Sequence, residues 1–309
     1  MRVSEWIAVA YFIGTAVVAV VQGVRGQGSG VGRRQGSGVR RQQALGVKRH
    51  ASGSSARRRL MVAALALVAA ALVIALAAVA HDDGGWWLTI ARDWAPAAYL
   101  MFGYWLPGGL QRPPNPRLEA WLARADRRLL AWVGTTLDSP FWHSGPLEAV
   151  YLLVYPFVPA CFLLVYVTVP SGVSDIFWSA VLVSGYACYG TLPWLPARPP
   201  RQIDAQDGLR NAHTRAPSPP GHRLLRRLNE QVSGSMGVGG DTLPSGHVAV
   251  AAAAALVVVQ FLPLTGALLV LLTLVIAAAT VAGRYHYLVD AVGGLAVGLL
   301  AWLVLTWIH

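Results

Sequence analysis

The chain has 309 residues, 55% of them hydrophobic and 13% charged, with a mean hydropathy of +0.49 and a formal net charge of +11 at pH 7. So apolar a composition excludes an ordinary soluble domain, and repeated runs of about 20 apolar residues match the thickness of a bilayer. The positive charge lies in the loops, which points to cytoplasmic loops or anionic lipid and excludes nucleic acid as the expected partner.

In chain order, Trp6 to Val24 is a first apolar run long enough to span, with no signal-peptide cleavage pattern after it. Residues 25–59 carry ten basic and no acidic residues, and Gln27-Gly-Ser-Gly-Val31 recurs as Gln35-Gly-Ser-Gly-Val39. Such low complexity predicts a disordered spacer, or an upstream extension with a natural start nearer Met61, ahead of a headgroup tether. Leu60 to Ala80 is a second span, followed by His81-Asp82-Asp83, which reads as a solvated turn and not a metal site. Trp86 to Leu110 is a third, rich in aromatics and interrupted by Pro96 and Pro107. An amphipathic helix is expected near 116–133, with Leu118, Trp121, Leu122, Ala125, Leu129 and Trp132 on one face and Arg117, Arg124 and Arg128 away from it. That pattern suits a helix lying on the membrane surface.

Pro146 to Val169 and Ser174 to Leu195 are the fourth and fifth spans. Glu148 falls near a span end and is not read as catalytic. Tyr151, Tyr155, Tyr166, Tyr186 and Tyr189 read as interfacial or core residues before cavity lining. Cys161 and Cys188 lie inside spans and read as packing residues. The polar loop 202–240 holds His213 and His222 with no partner at a dyad spacing, and a short interfacial helix around Leu224–Leu228. Ser245 to Leu262, Leu264 to Ala282 and Tyr287 to Ile308 complete eight spans. Gly293, Gly294 and Gly298 in the last include a small-xxx-small spacing for close helix packing.

Two polar stretches stand at span ends: Asp241-Thr-Leu-Pro-Ser-Gly-His247 and Gly283-Arg-Tyr-His-Tyr-Leu-Val-Asp290. His286 and Asp290 are four apart, one helical turn, so a carboxylate holds one imidazole nitrogen and leaves the other as base or nucleophile. Ser245 and Gly246 at a helix start offer N–H groups to a phosphate. Two histidines, a carboxylate and a helix-end anion site are the parts of a phosphoryl-transfer centre.

Pro-Ser-Gly-His at 244–247 with Arg-x-His-x-x-x-Asp at 284–290 resembles the type-2 phosphatidic acid phosphatase superfamily. The resemblance implies an all-α polytopic membrane protein with a six-helix core over 88–309, preceded by a transmembrane helix at 1–24, the linker 25–59, and a second helix and loop at 60–87. It implies His286 as the nucleophile that becomes phosphohistidine, Asp290 as its orienting carboxylate, and His247 as the proton donor to the leaving group. Arg284, with Ser245 and Gly246, falls to phosphate binding. Arg198-Pro199 matches the family's Arg-Pro, with Arg201 close by to assist. Two departures are visible: Thr280 stands where the broader family usually carries an Arg, and Thr191 where its first motif carries Lys. Arg two before the nucleophile, followed by Tyr-His-Tyr, resembles the inositol-phosphorylceramide branch, and Gly240-Asp241 resembles sphingolipid-synthase relatives.

The implied activity is a lipid phosphatase of the cell membrane that needs no metal or other cofactor and acts on a lipid phosphate or diphosphate. A lipid phosphotransferase that passes the phosphoryl group to an alcohol is the alternative, and a non-catalytic lipid-binding membrane protein is the third class. A rhomboid-like serine nucleophile at Ser245 is set aside, because Leu243 stands where that pattern needs Gly and Asp290 would go unused. The basic stretch 25–59 places itself in the cytoplasm, and eight crossings then put all three motif loops there too. The loop 198–243, with seven basic and four acidic residues, agrees. The resembled family mostly faces outward, and outward motifs follow if Trp86–Leu110 fails to cross.

Overall fold

The computed structural model describes residues 1–28, 39–80, 85–132, 145–169, 172–203, 229, 231, 238 and 241–308. Among these, all regular structure is helical: α1 (Val3–Gly28), α2 (Val39–Val79), α3 (Trp86–Gly108), α4 (Pro116–Trp132), α5 (Gly145–Leu152), α6 (Val154–Thr168), α7 (Val173–Tyr189), α8 (Gly246–Phe261), α9 (Pro263–Ala282) and α10 (Leu288–Ile308). Four stretches are long and apolar enough to cross a membrane by themselves: Val3–Val24, Ala56–Val79, Pro263–Ala282 and Leu288–Trp307. This is the all-α polytopic membrane architecture expected from the composition.

α1 and α2 form a hairpin sealed by small residues. Ala8, Phe12, Ala16 and Ala19 of α1 are buried, as are Ala63, Ala66, Ala70 and Val73 of α2. Rows of alanine let two backbones approach closely where no hydrophobic effect drives helices together. Their outer faces, with Val17, Leu65 and Leu72, are exposed and suit lipid. The hairpin is built into the bundle, because the Tyr11 ring stacks on Tyr186 of α7 at 3.9 Å and its hydroxyl donates to the Gly103 carbonyl of α3. The backbone of 39–59, expected to be disordered, continues the helix of the second span. Extending a formed helix costs little compared with nucleating one, and Arg, Gln, Ala and Leu are good helix formers.

The fourth span is broken. α5 ends at Leu152 and α6 begins at Val154, which puts Pro156 in the first turn of α6, where a missing N–H costs nothing. An unbroken helix would drive that proline ring against the Leu152 carbonyl. α8 is the central post. Val248, Ala249, Ala251, Ala253, Ala254, Ala255, Val257 and Val258 are all buried, so the helix is enclosed on every side by α6, α7, α9 and α10. α10 can lie against it because Gly294 and Gly298 carry no side chain. A Cβ on Gly298 would sit 2.5 Å from the Ala249 carbonyl, and one on Gly294 2.6 Å from that of Ser245. The small-residue spacing read in the last span is therefore an α8–α10 contact.

α4 forms where the amphipathic pattern predicted, but its apolar face is not simply laid on a membrane. Leu122 is buried with Ala197, Leu243 and Tyr287, and Leu118 packs on the same cluster, so α4 is clamped over the loops that carry the motifs. Trp121 remains half exposed. His81-Asp82-Asp83, His213, His222 and the helix expected around Leu224–Leu228 lie outside the described residues, as does the side chain of Glu148.

Candidate active site

The nucleophile candidate is placed by the way α9 stops. The Arg284 N–H bonds to the Val281 carbonyl at 3.0 Å, and the Tyr285 N–H reaches back to Thr280 at 2.9 Å. These two bonds form a Schellman termination whose left-handed position is Arg284, at φ 59°. Glycine normally fills that position, since an L side chain there costs about 1–2 kcal/mol. His286 also bonds Thr280 through its N–H, at 3.2 Å. Thr280 itself is buried and turns its hydroxyl onto Ala277, so it does not replace the arginine usual at that position.

The second motif enters α8 through a cis Leu243–Pro244 peptide. Thr242 accepts the Gly246 N–H at 2.9 Å, Ser245 caps the helix through a long 3.5 Å contact from Val248, and the Ser245 N–H bonds the Asp290 carbonyl at 3.2 Å. This corrects the expected anion site: the N–H groups of Ser245 and Gly246 are already taken, and Ser245 is fully buried. Gly246 serves packing, because a Cβ there would meet the Tyr189 ring at 2.3 Å.

At the centre, His286 Nδ1 lies 2.6 Å from Asp290 Oδ2 and 2.7 Å from Asp241 Oδ1. His286, Asp290 and Asp241 are each at most 5% exposed. The i,i+4 pair read from the sequence is thus a triplet. One Nδ1–H cannot satisfy two ionised carboxylates in so dry a place, so the three groups share their protons. Burial pulls the His286 imidazole down, but the negative charges of Asp241 and Asp290 outweigh it and raise it well above the ordinary histidine value. The His247 ring stands 5.8 Å from that of His286 in an edge-on arrangement and 5.9 Å from that of Tyr155. Asp241, His286 and Asp290 offer donor atoms within 4.8 Å of one another, near enough for one cation. Here both carboxylates are engaged on a single imidazole nitrogen, a geometry that orients a ring.

Three loops are stitched together around this centre. The Asp241 N–H bonds Ala197, the Arg201 N–H bonds Arg284, and the Tyr287 hydroxyl donates to the Arg198 carbonyl. The Arg201 guanidinium lies over the Tyr285 ring at 4.8 Å, and Tyr285 stacks on Tyr151 at 3.8 Å. Arg201 and Arg284 are therefore adjacent through backbone and ring. Arg198 is used differently from expectation. Its Nε and one terminal nitrogen grip Glu119 of α4 at 2.8 and 2.7 Å, and its N–H bonds the same carboxylate. That fork ties α4 to the loop, and it draws the Glu119 carboxyl below its usual range. Asp126, one helical face along, accepts the Val289 N–H at the start of α10.

The structure brings His247, His286 and Asp290 together with Asp241, sets the loops that carry Arg201 and Arg284 side by side, and gives Arg198, Ser245 and Gly246 contacts that hold a loop and a helix start. Sequence reading missed Asp241 as a site residue, and Glu119 and Asp126 as anchors. The available signal was acidic residues in apolar company: Asp241 just ahead of Thr-Leu-Pro, and Glu119 and Asp126 flanking Leu122 at helical spacing. No curated protein and no solved structure matches the chain. A family model described as the PAP2 superfamily, however, matches residues 120–304, which takes in every residue of the site. Covering more than half of the chain, that match shows that it belongs to the PAP2 superfamily.

Proposed function

We infer that the chain, as a member of this superfamily, is a membrane-embedded enzyme of phosphatase type. We propose that it is a metal-independent lipid phosphatase that cleaves a phosphomonoester or diphosphate of a lipid through a phosphohistidine on His286. The observation that carries this reading is the His286 ring, oriented through Nδ1 by two buried carboxylates, with His247 one ring-width away.

In the first step, Nε2 of neutral His286 attacks phosphorus, the N–P bond forms, and the bond to the leaving oxygen breaks. Asp290 and Asp241 hold the imidazolium that results. His247 gives its proton to the leaving oxygen. Arg284 and Arg201 meet the charge on the non-bridging oxygens, a role that fixed cations fill well in a water-poor site. In the second step, His247 takes a proton from water, whose oxygen displaces His286, and inorganic phosphate leaves. Glu119, Arg198 and Asp126 hold α4 and the loops in place.

An alcohol in place of water would make the same site a phosphotransferase. That second reading is favoured by Asp241, part of the Gly240-Asp241 pair that resembles sphingolipid-synthase relatives, because it joins the central triplet. The test is purified protein in detergent with EDTA, offered phosphatidic acid, an isoprenyl diphosphate and a phosphoinositide, beside His286→Ala. Phosphate release by the parent and none by the variant is expected. Undiminished release by His286→Ala would overturn the nucleophile assignment, and silence of the parent on all three would favour the acceptor-dependent reading.

A further inference from the structure

The helix ends sort into two sets. At the motif end lie the C-terminus of α1, where Arg59 donates to the Gln22 carbonyl, and the C-terminus of α3, where Arg58 reaches Gly108. Tyr104 of α3 meets Tyr189 at the C-terminus of α7, and Tyr189 covers Gly246 at the start of α8. At the other end Asp175 of α7 accepts the N–H groups of Val3 and Ser4, Arg92 pairs with Glu5, and Asp93 binds both Arg2 and the Tyr166 hydroxyl. α3 therefore runs beside α7 from one end to the other, and its 23 residues reach about 34 Å at 1.5 Å per residue, enough to cross. Its length and its place beside α7 suit the crossing on which the loop count depended.

With that topology the charge distribution becomes one-sided. Of the 25 Lys and Arg residues, every one except Arg2 and Arg92 belongs to the motif end or to the segments joining helices there. The two exceptions are neutralised by Asp93 and Glu5. Glu5, Asp93 and Asp175 belong to the opposite end, and Asp82 and Asp83 to the sequence segment that joins α2 to α3 there, so the count for that end is net negative. Basic residues in short loops beside spans are retained in the cytoplasm, and those near an anionic leaflet are attracted to it.

We propose that the motif end faces the cytoplasm, so that the site takes an anionic phosphate-bearing lipid from the cytoplasmic leaflet. The leaflet part rests on the phosphatase reading above; the orientation does not. Full-length protein in cells is tested with single cysteines at Pro114 or Arg128 for the motif end and at Gly85 or Thr265 for the opposite end, with two positions per end in case one fails to fold. All four positions are exposed, while the native Cys161 and Cys188 are buried and give little background. A membrane-impermeant maleimide should label P114C and R128C in sealed inverted vesicles and not in intact cells, and G85C and T265C in the reverse sense. Labelling of P114C or R128C in intact cells would overturn the orientation. Phosphatidic acid added to sealed vesicles of each orientation should release phosphate only in the inverted ones, and release by right-side-out vesicles would overturn the leaflet assignment. Absence of release in both would count against the phosphatase reading, with the labelling pattern still deciding the orientation.

Discussion

Arg284 combines two demands that a comparison of Arg284→Gly with Arg284→Ala separates. Its backbone occupies the left-handed position of the α9 terminus at φ 59°, and its side chain is assigned to the phosphate. Both variants lose the guanidinium equally, so the difference between them reports the backbone alone. Glycine is relieved of about 1–2 kcal/mol of left-handed strain, but its freer unfolded chain returns about 0.4–1 kcal/mol. The net is roughly 0.5–1 kcal/mol in favour of Arg284→Gly, or about 1 °C in midpoint for a chain of this size. Thermal unfolding in detergent followed by tryptophan fluorescence measures it. Phosphate release should meanwhile fall by about 10²–10³ in both, the loss seen when one donor to a developing oxyanion is removed. Arg284→Ala unfolding at or above the midpoint of Arg284→Gly would refute the backbone argument. Activity within tenfold of the parent in either would refute the phosphate role.

Two further outcomes are expected. Because the carboxylates raise His286 above the ordinary histidine value and attack needs the neutral ring, kcat/KM should fall as pH drops through that raised value, putting the acidic limb on the alkaline side of a free histidine. Asp241→Asn removes one of the two charges that hold the proton and should move this limb to lower pH; an unmoved limb in the pH–rate profile would show that Asp241 does not tune the ring. Gly298→Ala places a Cβ 2.5 Å from the Ala249 carbonyl and should lower stability by about 1–3 kcal/mol through forced separation of α8 and α10. Gly14→Ala, with open space around it, should be neutral or slightly stabilising, and equal midpoints for the two variants would contradict the close contact.

Much of the fold was legible because a bilayer imposes a one-dimensional rule. Apolar runs of a given length mark the spans, and polar residues at their ends stand out as the exceptions that chemistry requires. The His286–Asp290 dyad was legible for a similar reason, since helical spacing alone brings residues four apart onto one face. What the sequence by itself could not determine is which distant carboxylate joins that dyad. Asp241 meets His286 only because α8 and α10 are drawn together through Gly294 and Gly298, a contact decided between helices. The same holds for the arginines: Arg198 and Arg201 stand three apart in one loop, and only packing brings Glu119 of α4 to the first and Tyr285 of the turn between α9 and α10 to the second. The helix start at Ser245 offered N–H groups on paper, yet Thr242 and the Asp290 carbonyl occupy two of them. Local spacing fixes what a residue is able to do. Tertiary packing decides which partner reaches it first, because in a dry interior each buried donor and charge must be satisfied by whatever the fold brings within hydrogen-bond reach.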